Sequence, residues 1–126
     1  MKTLTLKQPW ASLIANGYKK YEFRTWKTNY RGPILIHAGK GIEKDALARV
    51  KKYNLDFPAG RIIAKVNIID CVKLDDNLND KLCSENRDVY GYNNHEGYVW
   101  ILSEPEFVHI DEKINGKLGF WNYDYK

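Results

Sequence analysis

The sequence predicts an α+β domain in which five to seven strands form a small curved sheet or barrel flanked by two or more helices. Three observations carry this reading. Short segments with strand-like alternation recur from one end of the chain to the other, whereas two stretches show helical periodicity. The strands are joined by non-local connections, which favours a curled sheet, with a flat α/β sandwich as the alternative. The chain has 126 residues, enough for one domain with a real core and too few for two, so 1–126 is read as a single domain.

The elements follow in order. "TLTLK" alternates and reads as a first strand. "QPWASLIANG" reads as a short helix: Pro9 suits its first turn, Trp10, Leu13 and Ile14 share a face, and Gly17 suits the residue just past its end. "KYEFRTW" is strand-like, with Tyr21 and Phe23 on one face and Glu22 and Arg24 on the other. "RGPILIHAG" is a turn leading into a short apolar strand, and "IEKDALARVKKY" an amphipathic helix with Ala46, Leu47, Val50 and Tyr53 inward. "RIIAKVNIIDCVKL" is the longest strand; Asp70 interrupts its even-numbered apolar face. Residues 75–95 are polar and read as a long loop with at most one helical turn. "GYVWILSEPEFVHI" gives one strand or two, broken at Pro105, and "GKLGFWNY" gives the last. No internal repeat, linker or low-complexity segment is present.

Composition narrows the function classes. No apolar run approaches the roughly 18 residues of a membrane span, and "MKTLTLKQPW" lacks the apolar core of a signal peptide, so a cytoplasmic protein without membrane attachment is expected. Cys71 and Cys83 are then expected as free thiols. The net charge of +4 conceals an asymmetry. Gly17–Tyr53 carries ten Lys or Arg against three acids, and Asp70–Glu112 carries three against eleven. The basic block is suited to an anion such as phosphate, or else the two halves attract each other.

Candidate chemistry concentrates in "NGYKKYEFRTW". Glu22 and Arg24, two apart on a strand, lie about 7 Å from each other and can reach one ligand. Lys19 stands at the strand's entry, where an apolar wall would make it a base or nucleophile, and an adjacent carboxylate would make it an ion pair. Trp10, Tyr18, Tyr21, Trp26 and Tyr30 lie among these charges, and rings interleaved with cations suit a nucleobase or single-stranded nucleic acid; the competing reading makes Trp10 and Tyr21 plain core. His37, ending an apolar strand beside Gly39 and Lys40, is either ligand-facing or structural. Asp70 is either paired with a basic-block cation or a catalytic acid. His37, His95 and His109 have no metal-ligand spacing, and no phosphate-loop or nucleophile-elbow signature is present, so neither metal nor cofactor is expected.

"GYKKYEFR" matches Gly-x-Lys-x-x-Glu-x-Arg and resembles the signature of the ASCH (ASC-1 homology) family within the PUA-like superfamily. "LKQPWASLIANGYKKYEFRTWKTNYRGPILIHAG", "FPAGRIIAKVNIIDCV", "GYVWILSEP" and "GKLGFWNY" resemble, in order, the family's N-terminal half, central strand and last strands. The resemblance implies a small PUA-like β-barrel with flanking helices, and a cleft binding RNA or a nucleotide-like ligand, modified bases included. It places Lys19, Glu22 and Arg24 in the cleft and Arg31, Gly32 and His37 at its edge; Trp26, one of the aromatics among the charges, is expected in the ligand site with them. The family also contains amidohydrolases acting on N4-acetylcytidine with a Lys, a Thr and a Glu. The Lys matches Lys19, the Thr position is Glu22 here, and the Glu falls where the match is weak, so Glu85 is not carried over. The alternative function is therefore such an amidohydrolase, with Lys19 and Glu22 catalytic, or a ribonuclease-like hydrolase.

Overall fold

The structure, a computed structural model, describes residues 1–91 and 96–125; His95 lies outside the described residues. In chain order it contains β1 (Lys2–Gln8), α1 (Trp10–Ala15), β2 (Tyr21–Arg24), β3 (Gly32–Ile42), α2 (Lys44–Val50) with a 3-10 turn at Lys51–Tyr53, β4 (Arg61–Lys73), α3 (Asp76–Glu85), α4 (Arg87–Tyr90), β5 (Tyr98–Phe107) and β6 (Phe120–Asn122). The strands form one mixed sheet in the order β2-β5-β4-β3-β1-β6, with β1 and β3 parallel and the other pairs antiparallel. The sheet is not closed by hydrogen bonds, so the expected barrel is a curled, barrel-like sheet with β2 and β6 at its edges. Among the described residues no helix is long and apolar enough to cross a membrane.

Two apolar clusters organise the molecule. The larger joins Leu4 and Leu6 of β1, Ile14 of α1, Ile34 and Ile36 of β3, Val66 and Ile68 of β4, and Trp100 of β5. The second gathers Leu13, Val50, Leu74, Leu82, Val89, Tyr90 and Val99, with Trp10, Tyr21 and Phe23 packed against it. α1 lies between the two, which is why a six-residue helix without a side-chain cap is stable here: tertiary packing supplies what length and capping do not.

Three expectations need correction. Within the stretch expected as a loop, the described residues 75–91 hold two helices. Asp75 caps α3 by accepting from the Leu78 N–H at 2.8 Å, and Asn86 caps α4 by accepting from Val89 at 3.2 Å. These helices carry Leu82, Val89 and Tyr90 into the second cluster. Asp70 does not interrupt a buried face: the register shifts between Ile68 and Asp70, turning Ile69 and Asp70 outward and Cys71 inward. Arg31 meets the exposed Asp70 carboxylate at 3.4 Å. Finally, β5 runs through Pro105, with Glu104 at a φ of 54° and a register shift opposite.

Gly97, at the entry to β5, is buried against β2. A Cβ there would sit 2.6 Å from the Arg24 carbonyl oxygen, which is backbone and cannot swing away. Gly97→Ala is therefore expected to destabilise the domain by about 1–3 kcal/mol, read as a lower urea midpoint at unchanged slope.

Candidate functional site

Lys19 reaches its position because α1 ends abruptly. Gly17 adopts a φ of 82°, a left-handed conformation in which a side chain is strained, and the Tyr18 and Lys19 amides both donate to the Leu13 carbonyl at 2.9 and 3.0 Å. The chain enters β2 two residues later. There β5 holds Glu22 opposite Trp100 and Arg24 opposite Tyr98.

The three charges of the motif converge. The Lys19 ammonium donates to Glu22 Oε1 at 3.0 Å and to the Tyr21 carbonyl. Arg24 Nη1 donates to Glu22 Oε2 at 3.4 Å. Lys19 and Glu22 are buried, at 3% and 5% exposure, while Arg24 stays partly open to solvent. The ammonium also lies 4.8 Å from the centre of the Phe23 ring and 5.6 Å from those of Trp10 and Tyr90, so it is enclosed by aromatic rings. Burial pushes the Lys19 pKa below its ordinary value, against the opposing pull of Glu22, and Arg24 adds to the lowering.

Above this pair opens a cavity of about 490 Å³, lined by Thr5, Leu6, Lys7, Trp10, Lys19, Glu22, Phe23, Arg24, Glu43 and Tyr90. At its rim Lys7 pairs with Glu43 at 3.0 Å, both well exposed. Tyr90 accepts the Lys20 N–H at 3.0 Å, and burial raises its pKa to about 12, so its phenol is neutral in the physiological range. An ammonium has three donors; Glu22 and Tyr21 engage two of those of Lys19, which leaves one for the cavity. The Glu22 oxygens each keep a lone pair beyond the one used. The cavity thus presents acceptors and donors at its floor, rings on its walls and cations at its mouth.

The remaining motif-region residues lie elsewhere. Trp26 packs edge-on to Trp100 and Phe120, with ring centres 4.7 and 5.4 Å away, and its carbonyl accepts the Trp100 indole N–H at 3.3 Å. Arg31 is tied to the Thr28 and Tyr30 carbonyls as well as to Asp70, and Gly32 packs beneath Tyr30. None of the three lines the cavity. His37 is buried in a chain of hydrogen bonds that fixes its tautomer: Nε2 donates to the Ile114 carbonyl at 2.6 Å, so Nδ1 accepts from the Thr5 hydroxyl, itself an acceptor for the Trp121 indole at 3.0 Å. Burial lowers the His37 pKa against the pull of Ile114, so the ring is neutral and structural in character, although one edge lines a neighbouring depression.

Sequence reasoning missed Thr5, Lys7, Glu43 and Tyr90 as wall residues, and weighted Trp10 towards core. Trp10 both packs on the second cluster and lines the cavity. Tyr90 was legible only through the capping residues Asp75 and Asn86 and the apolar spacing of Leu78, Leu82 and Val89. Among the described residues no group of His, Cys, Asp and Glu is arranged to hold a metal ion.

Comparison with known proteins agrees with this architecture. Residues 4–107 match the ASCH domain family. The chain is 29% identical to mouse activating signal cointegrator 1 and 28% identical to its human counterpart, in each case over 98% of this chain and 22% of that protein. The chain thus corresponds to about a fifth of those relatives' length. Among solved structures, an ASCH protein from Zymomonas mobilis shares the fold with a TM-score of 0.57 at 16% identity, over 90% of this chain and 72% of that one. A tyrosine-to-phenylalanine mutant of the same protein matches with a TM-score of 0.54 at 18% identity, over 90% and 74% respectively. The motif on β2, the α+β PUA-like sheet and a match across most of the chain agree: this chain belongs to the ASCH domain family.

Proposed function

We propose that this domain binds RNA by seating one nucleobase in the cavity above Lys19 and Glu22. The observation that supports it most is the buried Lys19–Glu22–Arg24 cluster at the floor of an aromatic-walled cavity. A site for phosphate alone would present unpaired cations. Here a carboxylate sits at the centre, and a carboxylate accepts from the N–H groups of a base edge, as Glu does from a cytosine amino group. Trp10, Phe23 and Tyr90 supply ring surfaces that pack against a base. Arg24 and Lys7, at the mouth, suit the attached phosphates.

One observation favours a second reading, hydrolysis of an N-acylated cytidine: the lowered proton affinity of Lys19 suits a general base or nucleophile. Against it, the hydroxyl that the related amidohydrolases use is replaced by Glu22. Thr5, an aliphatic hydroxyl lining this cavity, is engaged by His37 and Trp121.

Two measurements separate the readings. Affinity for a single-stranded RNA should fall with salt, two phosphate contacts at Arg24 and Lys7 contributing about −1.4 to the log–log slope; binding indifferent to salt contradicts the phosphate role. Lys19→Arg keeps the positive charge but offers no deprotonated amine, because the guanidinium pKa stays above about 12. A binder then retains most of its affinity, whereas an amidohydrolase ceases to release cytidine from N4-acetylcytidine. Absence of cytidine release by the unmutated protein removes the second reading.

Lys19 also predicts a pH dependence. An amine whose pKa is depressed on folding binds fewer protons folded than unfolded between the two values. Stability therefore rises with pH across that window, which ends at the ordinary value of 10.5, and falls as pH drops through it. Unfolding free energies measured by urea between pH 7 and 10 should rise more steeply for the unmutated protein than for Lys19→Met, in which Arg24 still pairs with Glu22. Equal slopes would mean that Lys19 keeps its proton throughout.

A further inference from the structure

The cavity does not end at its rim. Thr5, Leu6, Lys7 and Arg24 also line a second depression of about 270 Å³, completed by Gly39, Lys40 and Gly41 of β3 and by Lys117, Leu118 and Gly119 ahead of β6. Thr5, Gly39, Lys40, Lys117 and Leu118 in turn line a third, of about 370 Å³, which runs over His37 to Gly60 and Ile114. The three share walls and form one groove. Four cations line its middle section, Lys7, Arg24, Lys40 and Lys117, and no carboxylate does. Lys7 and Arg24 are each paired with a glutamate, whereas among the described residues Lys40 and Lys117 have no acidic partner, and both are exposed. The floor is cut close to the backbone. A Cβ at Gly39 or Gly41 would lie 3.0 Å from the Thr5 or Lys7 side chain, and one at Gly116 would lie 2.6 Å from Thr5.

We propose that this groove carries the sugar–phosphate backbone of a single RNA strand away from the cavity in one direction, with Lys40 and Lys117 contacting successive phosphates. The proposal rests on the base-in-cavity reading and extends it. The ligand is a polynucleotide continuing on one side of the seated base, and a free nucleoside occupies only part of the site. Two features favour an extended anion over a compact one. The positive charge is strung along a groove and not gathered in a single pocket, and the walls between the cations include Gly39, Gly41, Gly119 and Leu118, the last 99% exposed, beside the neutral polar side chain of Thr5. The bare glycine backbone gives the strand room to lie close.

The test uses a fluorescein-labelled ten-nucleotide single-stranded RNA of mixed sequence, titrated by anisotropy at several salt concentrations. Lys40→Gln/Lys117→Gln alters exposed positions only and should fold normally, which urea unfolding checks. Because this variant no longer neutralises two phosphates, its salt slope should be shallower by about 1.4, and its affinity should be about 25-fold weaker at 0.1 M salt. Glu22→Gln, its folding checked by the same urea unfolding and binding measured only where the variant is folded, tests the cavity separately. If Glu22→Gln weakens binding and the double variant does not, the groove proposal is overturned while the cavity reading stands. If the double variant weakens binding and Glu22→Gln has no effect, the strand lies in the groove without a base in the cavity, and it is the cavity reading that fails. A duplex of the same sequence bound as tightly as the single strand would mark the groove as a general polyanion surface and overturn the single-strand proposal.

Discussion

The site depends on keeping an ammonium out of water. Removing Lys19 from solvent costs several kcal/mol, and the compensation comes from three sources at once: the Glu22 carboxylate, the Tyr21 carbonyl and the faces of Phe23, Trp10 and Tyr90. These groups come from different parts of the fold. Glu22 is held by the β2–β5 ladder, Trp10 by α1, and Tyr90 by a short helix beyond β4. The pair therefore ties an edge strand, the first helix and the helical segment into one arrangement. Loss of Glu22 leaves the buried Lys19 charge without an acidic partner, a penalty of about 3–5 kcal/mol for such pairs, whereas loss of Lys19 leaves Glu22 paired with Arg24. A buried ion pair is weak evidence for stability as such. Its position at the floor of an open cavity, with hydrogen-bonding capacity left over, is what gives it a functional sense.

Much of the fold was legible because it is carried by local patterns. α1 announces itself by Pro9, the Trp10–Leu13–Ile14 face and Gly17, and the first half of β4 alternates cleanly from Ile62 to Ile68. The failures share one cause, namely that the deciding interaction is not local. Asp70 looked buried because a uniform two-residue period was extended past Ile68; the register shift against β5 that turns it outward is a property of the pair of strands. Pro105 looked like a break, yet β5 accommodates it together with the unusual backbone at Glu104. The segment after Asp75 looked like a loop because its polar residues outnumber its apolar ones. Two caps and a few apolar side chains docking on α2 and β5 suffice to make it helical.

The site divides along the same line. Lys19, Glu22 and Arg24 were legible because their spacing, at the entry to one short strand and along it, already brings them within reach of each other, so the tertiary structure had only to supply burial. Trp26, Arg31 and His37 were chosen by proximity in sequence to that motif. Each is engaged elsewhere: Trp26 by Trp100, Arg31 by the Thr28 and Tyr30 carbonyls and Asp70, and His37 by Thr5 and Ile114. Conversely, Thr5, Lys7 and Glu43 carry no signal of their own. They belong to the cavity because β1 pairs in parallel with β3 and delivers its end beside the start of α2, where the Glu43 amide donates to the Gln8 carbonyl at 2.8 Å.

The identity of the residue at position 22 bears most directly on chemistry. A threonine there would give Lys19 a hydroxyl partner and leave its amine to lose its proton at little cost. A glutamate stabilises the ammonium, so burial and ion pairing pull the Lys19 proton in opposite directions, with burial the larger influence. The same carboxylate also holds Arg24 in place, which fixes a cation at the cavity mouth. With glutamate at this position the floor of the cavity is an array of donors and acceptors held in place by one another. Such an array discriminates strongly between ligands that match its hydrogen bonds and those that do not, because a mismatched ligand leaves buried polar groups unpaired. In the base-binding reading proposed above, that selectivity would be exercised on a base edge.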